Sequence, residues 1–207
     1  MTDNNPLDTI FHEARDPEGF ARAYLGHLTD VLGRLDTKAV GKFVEIVLGA
    51  RERGARIFFC GNGGSAATAS HFANDLGIGT RSPAKPFRAI ALTDNVAVMT
   101  AIANDDGYDL MFVQQLQMLM QKGDVVVAIS ASGNSPNVLR AVEYANSGGA
   151  VTVGLTGFDG GRLKELVHHA VHVPTEKGEY GPVEDAHMVL DHLVGSYLIR
   201  LVRAENK

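Results

Sequence analysis

Five short apolar runs between residues 56 and 173 constrain the fold more than any other feature of this sequence. They are rich in β-branched residues and almost continuously apolar, which is typical of parallel strands covered on both faces. Segments long enough to form helices separate them. The predicted strands are residues 56–60, 88–92, 125–129, 151–155 and 169–173. This alternation predicts an α/β fold, a three-layer α/β/α sandwich around a five-stranded parallel sheet.

The first fifty residues differ from the rest because their apolar side chains recur at helical spacing, as from Phe20 to Tyr24 and Leu28. We predict two or three helices here, with Asp36 and Thr37 as an N-cap between two of them. The chain is thus expected to consist of an N-terminal helical segment, residues 1–50, and a main domain, residues 51–207. These helices are apolar on more than one face, so they pack either on their own domain or on another subunit.

Composition excludes several classes of function. The chain has 207 residues and a formal net charge of -5, without the basic stripe expected of a nucleic-acid-binding surface. Its single cysteine, Cys60, cannot form an intramolecular disulfide and is predicted to be a buried small residue. The N-terminus lacks a signal-peptide pattern, and no apolar run approaches the roughly 20 residues of a membrane span. We therefore expect a cytoplasmic protein that binds neither nucleic acid nor membrane.

A glycine-rich loop, residues 61–65, follows the first predicted strand directly. The segment after it consists of small residues and is predicted to be a helix. Such a junction presents unpaired backbone N–H groups and the positive end of a helix, which suits a phosphate. The loop matches neither G-x-G-x-x-G nor a G-K-[ST] ending, so no nucleotide cofactor is indicated. Many similar turns bind nothing, and that alternative stays open at this point.

A second loop, after the third predicted strand, carries Ser130, Ser132 and Ser135. Ser135 suits a helix N-cap and Pro136 suits the first helical position, so a helix is predicted to begin there. Hydroxyl groups and free helix N–H groups together could hold a phosphate without a lysine. A serine-rich turn with a single cap is the alternative.

Two groups of potential metal ligands stand out. His71 and Asp75 are four residues apart and therefore share a helix face. A long amphipathic helix is predicted over residues 182–202. It carries acidic and imidazole side chains that form either a solvated face or part of a metal site: Glu184, Asp185, His187, Asp191 and His192.

Several motifs in fixed order resemble the SIS (sugar isomerase) family and, within it, the isomerases of heptose 7-phosphates. They are F-C-G-N-G-G-S, H-F-A-N-D-L, A-N-D-D-G-Y, A-I-S-A-S-G-N-S, L-T-G-F-D-G-G and the helix that contains residues 184–192. The likeness extends from about residue 20 to residue 202. It implies a sheet of the flavodoxin-like nucleotide-binding type, and a homotetramer with active sites between subunits.

The resemblance also implies a reaction and the residues that perform it. The reaction interconverts sedoheptulose 7-phosphate and an aldose 7-phosphate through an enediol, with Asp75 as the base and His192 as the acid. Zinc is the expected metal, with His71, Asp75, Glu184 and His192 as ligands. The substrate is expected to contact Asn62, Gly63, Gly64, Ser65, Asn104, Asp105, Ser130, Ala131, Ser132, Ser135 and Glu184.

This chain departs from the family pattern at three of these positions. Asp75 stands where the family commonly has Glu, and Glu184 stands where it commonly has Gln. Ala131 replaces a hydroxyl residue. A shorter base can be misplaced by about 1 Å, which can lower the rate about 10²-fold. The departures leave room for a different phosphosugar as substrate.

Two further functions and a second ligand set also have to be considered. Non-catalytic relatives act through protein contacts, as the replication-initiator-associating protein of this fold does, and sugar-phosphate-sensing regulators share the fold too. No DNA-binding module accompanies this domain. Glu184 and His192 are separated by about 12 Å along a straight helix, so His187 is the alternative ligand.

Overall fold

The molecule is built on a single five-stranded sheet, seen in a computed structural model that describes residues 5–205. The strand order is β2-β1-β3-β4-β5, and every neighbouring pair is parallel. The predicted fold class is confirmed. The strands are β1 (Arg56–Gly61), β2 (Arg88–Ala91), β3 (Val125–Ser130), β4 (Val151–Thr156) and β5 (His169–His172).

Helices cover both faces of the sheet, and among residues 5–205 one large hydrophobic core lies on each face. The helices are α1 (Pro6–Glu13), α2 (Pro17–Gly33), α3 (Thr37–Arg53), α4 (Gly64–Asn74), α5 (Val96–Asp105), α6 (Val113–Leu119), α7 (Pro136–Ser147), α8 (Gly161–Leu166) and α9 (Tyr180–Glu205). On one face α3, α4 and α9 bury Phe43, Phe72 and Leu190. On the other face α6, α7 and α8 pack through such residues as Leu116 and Val138.

The register of the central strands determines where the functional loops lie. β3 is completely buried and pairs with β1 on one side and β4 on the other. Gly61 at the end of β1 lies beside Ile129 of β3, and Ser130 lies beside Thr156 of β4. Because parallel strands end at the same edge, the glycine loop and the serine loop are neighbours.

The N-terminal segment contains α1, α2 and α3, as the helical spacing indicates. Asp36 is the N-cap of α3, where its carboxylate accepts a hydrogen bond of 2.8 Å from the Lys38 amide. Val31 of α2 is buried with Ala186 of α9, so part of this segment packs on its own chain. The division of the chain at residue 50 stays a prediction.

Two further sequence predictions concern single features. Cys60 is completely buried, and burial raises the pKa of its thiol to about 12. It is therefore a core residue rather than a reactive thiol. Among residues 5–205, no helix has the length and apolar character needed to cross a lipid bilayer.

Candidate active site

The glycine loop connects β1 to α4 by a sharp turn that only glycine can make. Gly63 has φ +55° and is the N-cap of α4. A Cβ on Gly61 would lie 2.8 Å from the Ser65 carbonyl oxygen and 2.9 Å from that of Ile129. Within the described chain, no side chain caps α4. The first N–H groups of α4 are thus available to an anion.

The serine loop is a compact turn at the start of α7. The Ser130 hydroxyl oxygen lies 3.3 Å from that of Ser135 and accepts a hydrogen bond of 3.1 Å from the Gly133 amide. Ser135 is the N-cap of α7, as predicted. Its side chain, however, makes no capping hydrogen bond within residues 5–205. Pro136 at the first helical position has no N–H group, and the Val138 amide donates a hydrogen bond of 3.0 Å to the Asn137 side chain. The loop therefore offers a ligand its serine hydroxyl groups and the positive end of α7.

Asn62 joins the two loops to each other. Its side-chain amide exchanges two hydrogen bonds of 2.9 Å with Asn137 in the first turn of α7. The Tyr108 hydroxyl donates a third, also 2.9 Å, to the Asn62 side-chain oxygen Oδ1. Asn62 therefore fixes the spacing of the glycine loop and α7.

A small cavity of about 130 Å³ lies between the two loops. Its hydroxyl groups and the two helix N-termini suit a phosphate, although no lysine or arginine of residues 5–205 lines it. Most of the predicted substrate-binding residues meet here, with Gly63 and Gly64 in the adjacent turn. The cavity is lined by Asn62, Ser65, Ile129, Ser130, Ala131, Ser132, Ser135, Tyr180 and Glu184.

Glu184 lies over the glycine loop. A Cβ on Gly64 would lie 2.2 Å from its Oε2 atom, so the carboxyl group packs directly on the Gly64 backbone. Burial, and to a lesser degree the charge of Asp185, raises the pKa of Glu184. This position is consistent with the predicted contact to substrate.

Asn104 and Asp105 lie elsewhere, at the exposed end of α5. The Asn104 amide donates a hydrogen bond of 2.7 Å to the Asp105 carboxylate, and neither residue lines the cavity. Their contact with substrate stays a prediction.

A cluster of metal-ligating side chains lies two helical turns beyond the cavity, along α4 and α9. Its members are His71, Asp75, Asp191 and His192, with one ligand atom from each within 4.8 Å of all the others. His71 Nε2 lies 3.2 Å from His192 Nε2 and 3.6 Å from Asp75 Oδ2. Among the described residues Glu184 is outside this group.

Local helix geometry aims Asp75 into the cluster. Asp75 begins a π-helical turn, Asp75–Gly79, directly after α4. Such turns are wider than an α-helical turn and are frequent at functional sites. A Cβ on Gly195 of α9 would lie 3.7 Å from Asp75 Oδ2, so the Asp75 carboxylate faces α9.

Asp191 is the cluster member that the motifs did not indicate as a ligand. It is completely buried, and its Oδ2 lies 3.6 Å from His71 Nε2. Burial, followed by the negative charge of Asp75, raises the pKa of Asp191 to about 7. One signal in the sequence could have identified it: a carboxylate among the apolar residues of a helix face, close to Leu190 and Val194.

His187, the alternative ligand, lies in the core instead. Its Nε2 is 3.4 Å from the Thr156 carbonyl oxygen, and burial lowers its pKa to about 4. Within residues 5–205 it belongs to no metal-ligating group. The imidazole and carboxylate donors of the cluster, by contrast, are a set that suits a divalent transition metal.

Contacts from α2 hold the beginning of α9, and spacing in the sequence gave no sign of them. The Tyr24 hydroxyl donates a hydrogen bond of 2.6 Å to the Asp185 carboxylate. His27 Nε2 lies 2.5 Å from Glu179 Oε1. Because Tyr180 directly follows Glu179 and Glu184 directly precedes Asp185, these contacts fix one wall of the cavity.

Known proteins with the same motifs are similar along most of this chain. Residues 23–157 match the model of the SIS domain. A phosphoheptose isomerase of Nitratiruptor sp. is 41% identical over 74% of this chain and 81% of its own. A phosphoheptose isomerase structure from Neisseria gonorrhoeae superposes with a TM-score of 0.79 and 29% identity, covering 88% of this chain and 98% of that one. For one from Francisella tularensis the TM-score is 0.80, with 26% identity and coverage of 90% and 99%. The chain therefore belongs to the SIS domain family, in the branch that contains the phosphoheptose isomerases.

Proposed function

We propose that this protein is a metal-dependent aldose-ketose isomerase that converts sedoheptulose 7-phosphate to an aldose 7-phosphate. The relatives reported above carry the name phosphoheptose isomerase. One structural observation supports the assignment best. The phosphate-sized cavity and the metal-ligating cluster lie on the same pair of helices, α4 and α9, separated by about two turns.

The separation matches the length of the substrate. Glu184 at the cavity and His192 in the cluster are about 12 Å apart along α9, at 1.5 Å per residue. Gly64 and His71 are about 11 Å apart along α4 by the same rule. An extended seven-carbon sugar spans roughly 10 Å from C1 to its phosphorus, judged from ordinary bond lengths. A phosphate in the cavity would therefore place C1 and C2 beside the cluster.

The cluster has the groups that isomerisation needs. Asp75 would remove the C1 proton, and His192, through the ring nitrogen that is not bound to the metal, would protonate the carbonyl oxygen to give the enediol. Asp75 would then deliver its proton to C2 while the O1 hydroxyl proton passes to His192, which completes the aldose and restores both groups. A divalent cation held by the cluster, with zinc as our proposal, would polarise the carbonyl and offset the enediolate charge. Contacts at the phosphate would orient the reacting end.

We also propose that the protein is a homotetramer whose active sites lie between subunits. An apolar groove of about 610 Å³ runs between α2, α3 and α9. On α9, Val189, Leu193 and Tyr197 follow one another at one-turn intervals and are 39%, 47% and 52% exposed.

The substrate assignment is tested by comparing sugars of different length. With a divalent metal present, the protein should isomerise sedoheptulose 7-phosphate at least about 10²-fold faster, in kcat/KM, than ribulose 5-phosphate. A pentose phosphate held in the cavity places its carbonyl two carbons short of the cluster, and such misplacement is costly. Equal rates with both sugars would contradict the length argument. If the protein turned over only a six-carbon sugar phosphate, that sugar phosphate would be the substrate instead.

A further inference from the structure

Asp191 differs from the other buried acids of this protein. Three carboxyl side chains are buried among residues 5–205: Asp124, Glu179 and Asp191. Asp124 accepts hydrogen bonds of 2.8 Å from the amides of Arg56 and Gln121. Glu179 accepts one of 2.6 Å from the Glu176 amide and contacts His27. Both carboxylate oxygens of Asp191, in contrast, lack a hydrogen-bonding partner within the described chain.

A buried carboxylate without a partner is costly, and natural proteins pair such groups or use them to coordinate metals. Asp191 Oδ2 lies 3.6 Å from His71 Nε2, and ligand atoms of Asp75 and His192 are within 4.8 Å of an Asp191 carboxylate oxygen. His71 Nε2 also lies 3.6 Å from Asp75 Oδ2 and 3.2 Å from His192 Nε2. In a tetrahedral site with bonds near 2.1 Å, neighbouring ligand atoms are roughly 3.4 Å apart. Of the three separations from His71 Nε2, the one of 3.2 Å is slightly shorter than that value and the two of 3.6 Å are slightly longer.

We propose that Asp191 is a direct ligand of the catalytic metal, and that His71, Asp191 and His192 are its three fixed protein ligands. This inference rests on the proposed function for the presence of a metal. Three protein ligands and one open position are the usual arrangement of catalytic zinc. Asp75, whose side chain is 25% exposed, then shares the fourth position with substrate and is free to act as the base. Glu184 contributes to the cavity and not to the metal.

The experiment measures metal affinity rather than turnover. Zn²⁺ is titrated into purified protein in competition with a chromophoric chelator, and Co²⁺ absorption reports the coordination geometry. Asp191→Asn should weaken Zn²⁺ binding by about 10²-fold or more, since ligand loss exceeds the 10- to 100-fold effect of outer-shell partners. Glu184→Gln, the matched control, should change affinity less than about threefold, and Asp75→Asn less than about tenfold.

Thermal unfolding of the metal-free protein separates a ligand from a structural residue. Because Asp191 lacks partners, metal-free Asp191→Asn should melt at the same temperature as the natural protein or higher, while the rise on adding Zn²⁺ shrinks. Asp191→Leu, which has no donor atom, should behave in the same way. A lower metal-free melting temperature with unchanged Zn²⁺ affinity would overturn the proposal.

Other outcomes distinguish this inference from the function it builds on. If Glu184→Gln loses Zn²⁺ and Asp191→Asn retains it, the ligand assignment is wrong although the isomerase assignment can stand. If the natural protein isomerises sedoheptulose 7-phosphate without bound metal, the inference fails together with the metal dependence of the proposed function, and the isomerase assignment remains. If Asp191→Asn loses Zn²⁺ in a protein that turns over no sugar phosphate, the ligand assignment stands and the proposed function fails.

Discussion

His187 and Asp191 lie one turn apart on α9, and the structure buries both completely. Their roles differ because of what each side chain faces. His187 points towards β4, where the Thr156 carbonyl oxygen is 3.4 Å from its Nε2 and where His172 adds slightly to the lowering of its pKa. Asp191 faces His71 and Asp75. The same helix thus carries a neutral core histidine and, one turn later, the carboxylate that we propose as a metal ligand.

The buried state of His187 predicts a loss of stability in acid. Its pKa falls from 6.5 to about 4 on folding. Between these two pH values the unfolded chain binds a proton at His187 and the native protein does not. The contribution of His187 is complete above pH 6.5 and declines as the pH falls towards 4. Between pH 7.5 and 4.5 the loss should be about 2 to 3 kcal/mol.

Urea unfolding with a chelator present measures this loss. The variant His187→Gln cannot take up the proton, so its free energy of unfolding should change less over the same pH range. Subtracting one protein from the other removes the contributions of other groups, including Asp191, whose raised pKa acts in the opposite direction. Parallel pH dependences for the two proteins would contradict the assignment.

At the scale of elements, the strands were predictable because a strand buried on both faces of the sheet appears in the sequence as a short, nearly continuous apolar run. The predicted ends of all five strands lie within one residue of those observed. The two loops followed, since parallel strands bring their carboxyl ends to one edge. Ser135 was also placed correctly at the N-cap of α7, but whether its hydroxyl would bond to the helix or stay free depends on the packing of the loop.

The sequence predicted only some members of the cluster of potential metal ligands. The motifs named His71, Asp75 and His192, which the fold does bring together. Asp191 was one of five possible ligands on its helix but was absent from the set that the resemblance implied, because its role depends on how α9 rotates against α4. Glu184 and His192 are eight residues apart, and the cavity and the cluster lie at the two ends of that interval. Long-range contacts of this kind leave no periodicity in the chain.

Gly133 is the residue of the serine loop whose replacement should be most damaging. It has φ +64°, and a Cβ there would lie 1.9 Å from the Gly160 carbonyl oxygen, a backbone atom that cannot move aside cheaply. Gly133→Ala should lower the free energy of unfolding by roughly 2 to 5 kcal/mol. Alanine is strained in the left-handed backbone conformation, and its methyl group would overlap the neighbouring loop. It should also weaken the binding of sugar phosphate, because the Gly133 amide hydrogen-bonds Ser130.

Gly26→Ala is the control for this prediction. Gly26 lies within α2, and a Cβ there would meet nothing within 4 Å. Alanine should therefore stabilise the protein by up to about 1 kcal/mol through helix propensity. Chemical denaturation and calorimetric titration with sugar phosphate measure both effects. Equal stability of the two variants would show that the loops do not make the close contact described.

At the scale of the whole molecule, the groove between α2, α3 and α9 predicts association. Glutamate at position 193 would place a charge in the centre of the apolar surface, which is strongly unfavourable at an interface core. Leu193→Glu should therefore reduce the mass in solution from that of a tetramer to that of a smaller species. Light scattering at micromolar concentration measures the change, with Leu193→Met as the control that keeps the apolar area.

The same variant links assembly to activity. If the active sites lie between subunits, Leu193→Glu should lose turnover together with the tetramer, although Leu193 lies outside both the cavity and the cluster. A monomeric natural protein, or a Leu193→Glu variant that keeps its full mass, would contradict the assembly proposed here.

One measurement tests the central claim most directly: exchange of the C1 proton of sedoheptulose 7-phosphate with solvent deuterium, followed by NMR together with product formation. The metal-loaded protein should exchange the proton and form the aldose. Both processes should stop with chelator, and both should fall about 10²- to 10⁴-fold in Asp75→Asn, because that variant lacks the base. Asp30→Asn, an exposed acid on α2, should retain the natural rate. Exchange that persists in Asp75→Asn, or none in the metal-loaded natural protein, would contradict the account.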